Sequence, residues 1–407
     1  MSDLRGVDYL RRKLNMKRHR VLTRYGYYNM KNAMQEFNIA IPKEWRWLKE
    51  CLGWCGTAVD SLADRLVFRG WKEDNYDLQG IFNMNNKDIM FDSAILSACI
   101  GSCSFIYILQ GEDGFPVIEV IDGGNATGII DSTTGMLVEG YAVLGRDDKG
   151  APVSEAYFTP GSTEYFVEGR ESYVLDNAAP HPLLVPIIYR PDADREFGHS
   201  RISRACMNIQ QAALRTLKRA EIAAEFYSFP QKYITGLSPD AEQLEKLQAT
   251  ISSFLQFDKD EDGDKPQLGQ FTQQSMSPYV EQIRMLAGLF AAETGLTLDD
   301  LGFVSDNPSS AEAIKASHER LRLYARKAQR TFGSGFLNVG YLAACVRDEF
   351  PYKRNQLYQT TPKWAPIFEP DAAMLSGIGD GAIKLNQAVP EFFTAETLSE
   401  LTGIDVE

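Results

Sequence analysis

The 407-residue chain sets 42 Lys and Arg against 55 Asp and Glu, a formal net charge of −13. With 44% hydrophobic and 24% charged residues it has the composition of a folded globular protein, which excludes fibrous and disordered classes, and its length leaves room for roughly two or three domains. A surface this acidic repels phosphate, so a nucleic-acid role has to be one that does not depend on gripping DNA tightly.

The N-terminal arm holds Arg5, Arg11, Arg12, Lys13, Lys17, Arg18 and Arg20 with no apolar core behind them, so no secretion signal is expected. Helical periodicity predicts helices over 8–31 and 45–67, the second with Leu48, Leu52, Cys55, Val59, Leu62 and Leu66 on one stripe. A basic run at 11–24 is expected to be a solvated face or a contact with an acidic neighbour before a contact with DNA. The pairs Cys51/Cys55 and Cys99/Cys103 have i, i+4 spacing, which predicts buried thiols on helix faces in a reducing compartment. Zinc made of these four thiolates is disfavoured, because zinc sites use shorter C-x2-C spacing in turns. The apolar stretch 89–109 turns β-branched and aromatic after Gly101, which predicts a buried helix leading into a strand rather than a membrane span.

From Ser104 short strands alternate with Gly and Asp clusters, predicting one antiparallel meander that ends at the proline-marked segment 181–191. A long helix over 200–229 stops at Pro230. An insert of strand, helix 239–253, strand, acidic turn and strand follows, then a helix over 277–295 with Ser277 as N-cap and Pro278 at its first position. Residues 296–308 form a long loop without a period, the kind that carries function. Ser309 and Glu312 have capping-box spacing and open a long helix running to about 349, in which Gly333-Ser334-Gly335 predicts a kink. Between Lys315 and Arg330 that helix sets six basic residues against one acid, a stripe expected to dock on an acidic face of its own or a neighbouring subunit. Extended chain at 352–368 and helices at 371–387 and 394–402 close the sequence.

A search for chemistry returns nothing. The glycine-rich segment 123–128 lacks the Lys-Ser/Thr of a P-loop, there is no H-E-x-x-H, and His19, His181, His199 and His318 share no local pattern. Asp147-Asp148 and Asp299-Asp300 are expected to be solvated turns. In FDKDEDGDKP, Asp258, Asp260, Asp262 and Gly263 fit the first, third, fifth and sixth places of a calcium loop, but Gly269 stands where a bidentate glutamate is needed. The stretch therefore predicts an acidic turn between strands, with no metal and no cofactor.

The order of parts resembles the portal proteins, or head-to-tail connectors, of tailed, siphovirus-like bacteriophages. The resemblance is carried by WCGTAVDSLADRLVFRGW at 54–71, the helix-to-strand step at 91–109, FGHSRI at 197–202, FPQKYITG at 229–236 and NPSSAEAI at 307–314. It implies an α+β, mainly helical portal fold: a wing over 1–198, stem helices over 199–228 and 277–295, a clip over 229–276, a tunnel loop over 296–308, a long kinked helix with a return strand over 309–370, and a short crown over 371–407. It also implies no catalysis and a homo-dodecameric ring at the capsid vertex of the virion, assembled in the host bacterial cytoplasm. Double-stranded DNA would pass through that ring during packaging by terminase and during ejection, without sequence readout. Leu296, Thr297, Leu298, Asp299, Asp300, Leu301, Gly302, Phe303, Val304, Ser305, Asp306 and Asn307 would line the channel. Asp258, Asp260, Glu261, Asp262 and Asp264 of the clip would meet the terminase large subunit and the head-tail adaptor, with Ser309 and Glu312 capping the helix beyond the loop. Major capsid and scaffold proteins are the other implied partners; a membrane is not. The alternative is a basic-helix nucleic-acid-binding protein that forms no ring.

Overall fold

The structure, a computed structural model, describes residues 4–33, 47–111, 114–228, 232–235, 267–270, 275–303, 316–368, 370 and 372–404. The chain divides into two compact units, one built from 1–32, 53–207 and 290–407, the other from 33–52 and 208–289.

The larger unit opens with α1 (Val7–Tyr28) and α2 (Trp54–Ala63), then β1 (Phe68–Lys72), α3 (Leu78–Asn83), α4 (Lys87–Gly101) and β2 (Cys103–Gln110). Helix α2 is shorter than the periodicity predicts. Residues 47–53 are irregular, because Gly53 occupies the N-cap and Trp54 is the first residue of the helix that the core buries. Neither cysteine pair therefore shares a helix face: Cys51 precedes α2 and is exposed, while Cys103 is the first residue of β2. The other five thiols are buried; burial pushes Cys99 up to about 12 and Cys345 up to about 11, which makes these two inert packing groups.

The predicted meander is two sheets. Strands β3 (Pro116–Asp122) and β9 (Leu184–Ile188) flank β2 in a three-stranded antiparallel sheet. Strands β4 (Ala126–Ile130), β5 (Leu137–Arg146), β6 (Pro152–Thr159), β7 (Ser162–Val167) and β8 (Tyr173–Asp176) form a five-stranded one in chain order. The proline-marked segment does not end the sheet but returns beside β2, pairing Tyr107 with Leu184 and Cys103 with Ile188. Pro186 fits there because β9 lies at the sheet's edge, where a missing donor leaves no ladder bond unmade.

Helix α5 (Arg204–Ser228), strands β10 (Lys232–Thr235) and β11 (Gln267–Gln270), and helix α6 (Ser277–Thr294) follow, with β10 and β11 paired antiparallel. Helix α6 begins at Ser277 itself, one residue earlier than expected, and the hydroxyl of Ser275 takes the Ser277 amide at 3.1 Å. The insert helix 239–253 and the strand before the acidic turn lie outside the described residues.

Helix α7 (Glu319–Arg347) is preceded by a turn at His318 and is continuous in its helical assignment through Gly333–Gly335, the segment where the sequence predicts a kink. Those glycines serve close packing. A Cβ on Gly333 would stand 2.6 Å from Cγ of Pro362, and one on Gly335 would stand 2.8 Å from Cδ1 of Ile187. Strand β12 (Thr361–Trp364) returns to pair with β1, and α8 (Ala372–Ala388) and α9 (Ala395–Thr402) follow, α9 capped by the Thr394 side chain.

The core of this unit is aromatic. Phe68 of β1 lies 4.3 Å from Phe91 of α4 and 5.2 Å from Trp364 of β12, and Phe91 lies 4.6 Å from Phe336 of α7, centroid to centroid. Each buried Phe contributes about 1.5–3 kcal/mol by burial. Four elements far apart in sequence are joined in this one cluster.

Candidate functional site

Two segments that the sequence marks as special lie in the larger unit. The first is the helix-start motif at 197–202. Gly198 has φ 70°, and a Cβ there would stand 2.1 Å from the Tyr189 carbonyl oxygen, so glycine is required. Ser200 then donates to the Ile100 carbonyl at 2.6 Å and accepts from the Ile202 amide at 3.0 Å, while the Arg201 amide donates to Cys99 O at 2.9 Å. The motif hooks the chain to the C-terminus of α4, satisfying carbonyls that the helix leaves open. Arg201, 6% exposed, donates from Nε to Ala58 O at 2.9 Å and lies over the Tyr324 ring at 5.3 Å, which ties α2 and α7 to the point where α5 begins.

The second is the segment after α6. Gly295, at φ 73°, closes the helix in the left-handed conformation with its amide on Ala291 O, and Leu296 behind it is buried at 6% exposure. Thr297 and Asp300 cap each other: the Thr297 amide and hydroxyl donate to Asp300 Oδ2 at 2.8 and 2.9 Å, and the Asp300 amide donates to Thr297 Oγ1 at 3.2 Å. A 3-10 turn, Asp299–Leu301, sits inside this box. Nε2 of His318 reaches the same carboxylate at 3.3 Å, with its Nδ1 3.2 Å from the Ser317 hydroxyl. Burial alone would push the Asp300 carboxyl up, but the donors from Thr297 and His318 hold it below the ordinary carboxylate range. On its far side His318 meets Phe368 edge-on at 6.1 Å, and Arg65 lies over that ring at 5.2 Å. Arg320 of α7 donates to the Ala292 carbonyl in the last turn of α6.

Of the twelve predicted channel residues, eight are therefore placed. Leu296 belongs to the core, Thr297 and Asp300 hold the turn, and Asp299 and Gly302 are exposed. Val304, Ser305, Asp306 and Asn307, the capping pair Ser309 and Glu312, and the acidic docking residues Asp258, Asp260, Glu261, Asp262 and Asp264 all lie outside the described residues. Sequence reasoning missed His318 as a partner of the loop. It also passed over the T-x-x-D spacing at 297–300, the signal that would have found the cap.

The basic arm is largely consumed by the fold. Arg11 pairs with Glu155 at 2.5 Å, Lys13 donates to Gly128 O at 2.7 Å, and Arg24 donates to Gly101 O at 3.2 Å. Charges spent on anchoring α1 are not available to phosphate. Among the described residues no group of His, Cys, Asp and Glu could hold a metal ion, and no helix is long and apolar enough to cross a membrane.

A family model described as phage portal protein, SPP1 Gp6-like, matches residues 8–371, so the fold is that of a phage portal subunit. The chain belongs to that family. It is 26% identical over 334 residues to the portal protein of Mycobacterium phage L5, covering 76% of this chain and 68% of that protein. It is 26% identical over 341 residues to the portal protein of Mycobacterium phage D29, covering 78% and 69%. Chains in the virion of a native gene transfer agent particle and in its neck, computed with C12 symmetry, are similar at TM-scores of 0.44 and 0.42, with 13% and 14% identity over 87% of this chain and 90% of each.

Proposed function

We propose that this chain assembles as a homo-dodecameric ring at the capsid vertex of a tailed phage, through which double-stranded DNA enters during packaging and leaves during infection. The observation that carries this reading is the family match over 8–371, which takes in both compact units and the loop between α6 and α7. Charge supports it. A conduit must let DNA slide, and many Lys or Arg contacts to phosphate would release counterions and bind the duplex tightly, whereas this chain is at −13.

In that ring the residues from Thr297 to Asn307 would line the narrowest point, carried on the capped base at Thr297–Asp300. The acidic turn at 258–264 would meet terminase and then the adaptor, and the outer surface would meet capsid and scaffold proteins. The ring would hydrolyse no ATP itself. Negative-stain imaging and mass photometry of the purified protein over a range of concentrations test the reading. Annular particles of twelve copies are expected; a chain that stays monomeric at every concentration, or that binds DNA with a steep salt slope as a monomer, overturns it.

A further inference from the structure

The exposed side of α7 is unusual within this acidic chain. Leu323, Arg326, Lys327 and Arg330 stand at i, i+3, i+4 and i+7, one face of the helix. All four are exposed, Leu323 at 48%. The neighbouring Arg322 is paired with Glu319 at 2.6 Å, but Arg326, Lys327 and Arg330 make no ion pair among the described residues. Three cations around an apolar side chain thus form a surface with no ion-pair partner among the described residues.

The same unit carries the opposite surface. Asp64, at the end of α2, and Asp88 and Asp92, on α4, are exposed and make no ion pair among the described residues. Ile89 stands between the α4 acids at 73% exposure. The charges of Asp88 and Asp64 reach Asp92, and burial together with that repulsion pushes its carboxyl up. A cluster of like charges around an exposed isoleucine is disfavoured in isolation and relieved by a cationic neighbour.

We infer that the basic face of α7, centred on Arg326 and Arg330, seats on the acidic face of α4, centred on Asp88 and Asp92, of a second copy of this chain. The two faces match in charge and each has one exposed aliphatic side chain, Leu323 on one and Ile89 on the other, to bury at the centre of the contact. They are different surfaces of one subunit, so the contact is head-to-tail and closes into a ring when the rotation permits. Phosphate is the competing occupant of the cations, but the paired surface on the same unit favours protein. This inference rests on the ring proposed above and names one of its subunit contacts.

The test is charge exchange, read by mass photometry across protein concentration. Arg326→Glu with Lys327→Glu and Arg330→Glu, and separately Asp64→Lys with Asp88→Lys and Asp92→Lys, should each raise the concentration of half-assembly by about tenfold or more, since like charges would face each other. All six changes in one chain should restore it. In a second measurement that keeps every charge, Leu323→Cys with Ile89→Cys in a Cys51→Ser background should give a ladder of disulfide-linked chains on oxidation, and either cysteine alone should not. Rings that assemble normally with each reversed face, or that give no ladder, overturn this contact and leave the ring standing. A wild-type chain that never assembles overturns the ring and the contact together.

Discussion

Nε2 of His318 lies 3.3 Å from Oδ2 and 3.4 Å from Oδ1 of Asp300, so the ring at the head of α7 straddles the carboxylate that caps the turn after α6. With the Ser317 hydroxyl facing Nδ1, the proton on Nε2 points at Asp300. One carboxylate thus ties together the two ends of the loop that would face the channel.

Asp300→Ala should therefore loosen that base and cost about 1–3 kcal/mol, because it leaves the Thr297 amide and the imidazole without their acceptor. Urea unfolding monitored by circular dichroism checks it. The sign with pH follows from the lowered folded-state pKa: the contribution is complete above the unfolded carboxylate value of 3.8 and is lost as pH falls through the lower folded value. The difference between wild type and variant should shrink as pH falls through that acid window; a gap that widens below pH 3.8 would contradict the assignment.

Glu139 of β5 predicts a larger effect. It is 0% exposed and accepts from the Arg5 amide at 2.9 Å, the Gly6 amide at 3.1 Å and the Tyr157 hydroxyl at 2.7 Å. Helix α1 has no side-chain cap of its own, so this carboxylate from the sheet takes its first free amides and adds to the negative charge of Asp8 in the first turn. Glu139→Ala removes the acceptor of three part-buried hydrogen bonds and should cost about 2–4 kcal/mol and release α1 to proteolysis first. Equal protection of α1 in variant and wild type, by limited trypsin digestion, would show that the helix is held elsewhere.

The elements themselves were legible where local signals agreed. Helices α1, α5, α6, α8 and α9 and the α4-to-β2 step fall within a few residues of their periodicity and caps. What was not legible depends on long-range pairing. Nothing in the sequence near Leu184 says that β9 crosses back to β2, or that strands β4 to β8 separate into their own sheet. The helix predicted from residue 45 failed because Leu48 and Leu52 continue the apolar stripe of α2 across Gly53, and the stripe alone does not locate the cap. At the loop, Thr297 and Asp300 lie three residues apart and could be found by spacing. His318 is eighteen residues further on and is found only from the fold.

Gly333 separates packing from propensity. In an exposed helix, replacing Gly by Ala gains up to about 1 kcal/mol. Here the new methyl would meet Cγ of Pro362 at 2.6 Å and Cβ at 3.1 Å, and the proline is held in β12 by its pairing with Trp71. Gly333→Ala should therefore destabilise by about 1–3 kcal/mol, the range for overpacking, whereas Gly377→Ala in α8, with nothing within 4 Å of the added carbon, should be neutral or stabilising. Opposite shifts in thermal midpoint are expected; two shifts of the same sign would remove the packing explanation.

Lys17 sets desolvation against cation–π attraction. Its amine is buried with no hydrogen-bond partner among the described residues and lies 5.1 Å from the centroids of both Phe105 and Phe197. Two rings offer up to about 2 kcal/mol each, but burying an ammonium costs several kcal/mol. Burial dominates, with Lys13 adding to it, and lowers the pKa of Lys17 despite the opposing influence of Cys103 and Asp122. The folded state thus holds this proton less tightly than the unfolded chain. Stability is then lower at neutral pH and rises as pH climbs from the lowered value towards the unfolded 10.5. Lys17→Met keeps the stem and removes the charge, so it should raise the thermal midpoint at pH 7, with the advantage shrinking towards pH 10. A lower midpoint than wild type at pH 7 would mean that the two rings outweigh the desolvation of the amine.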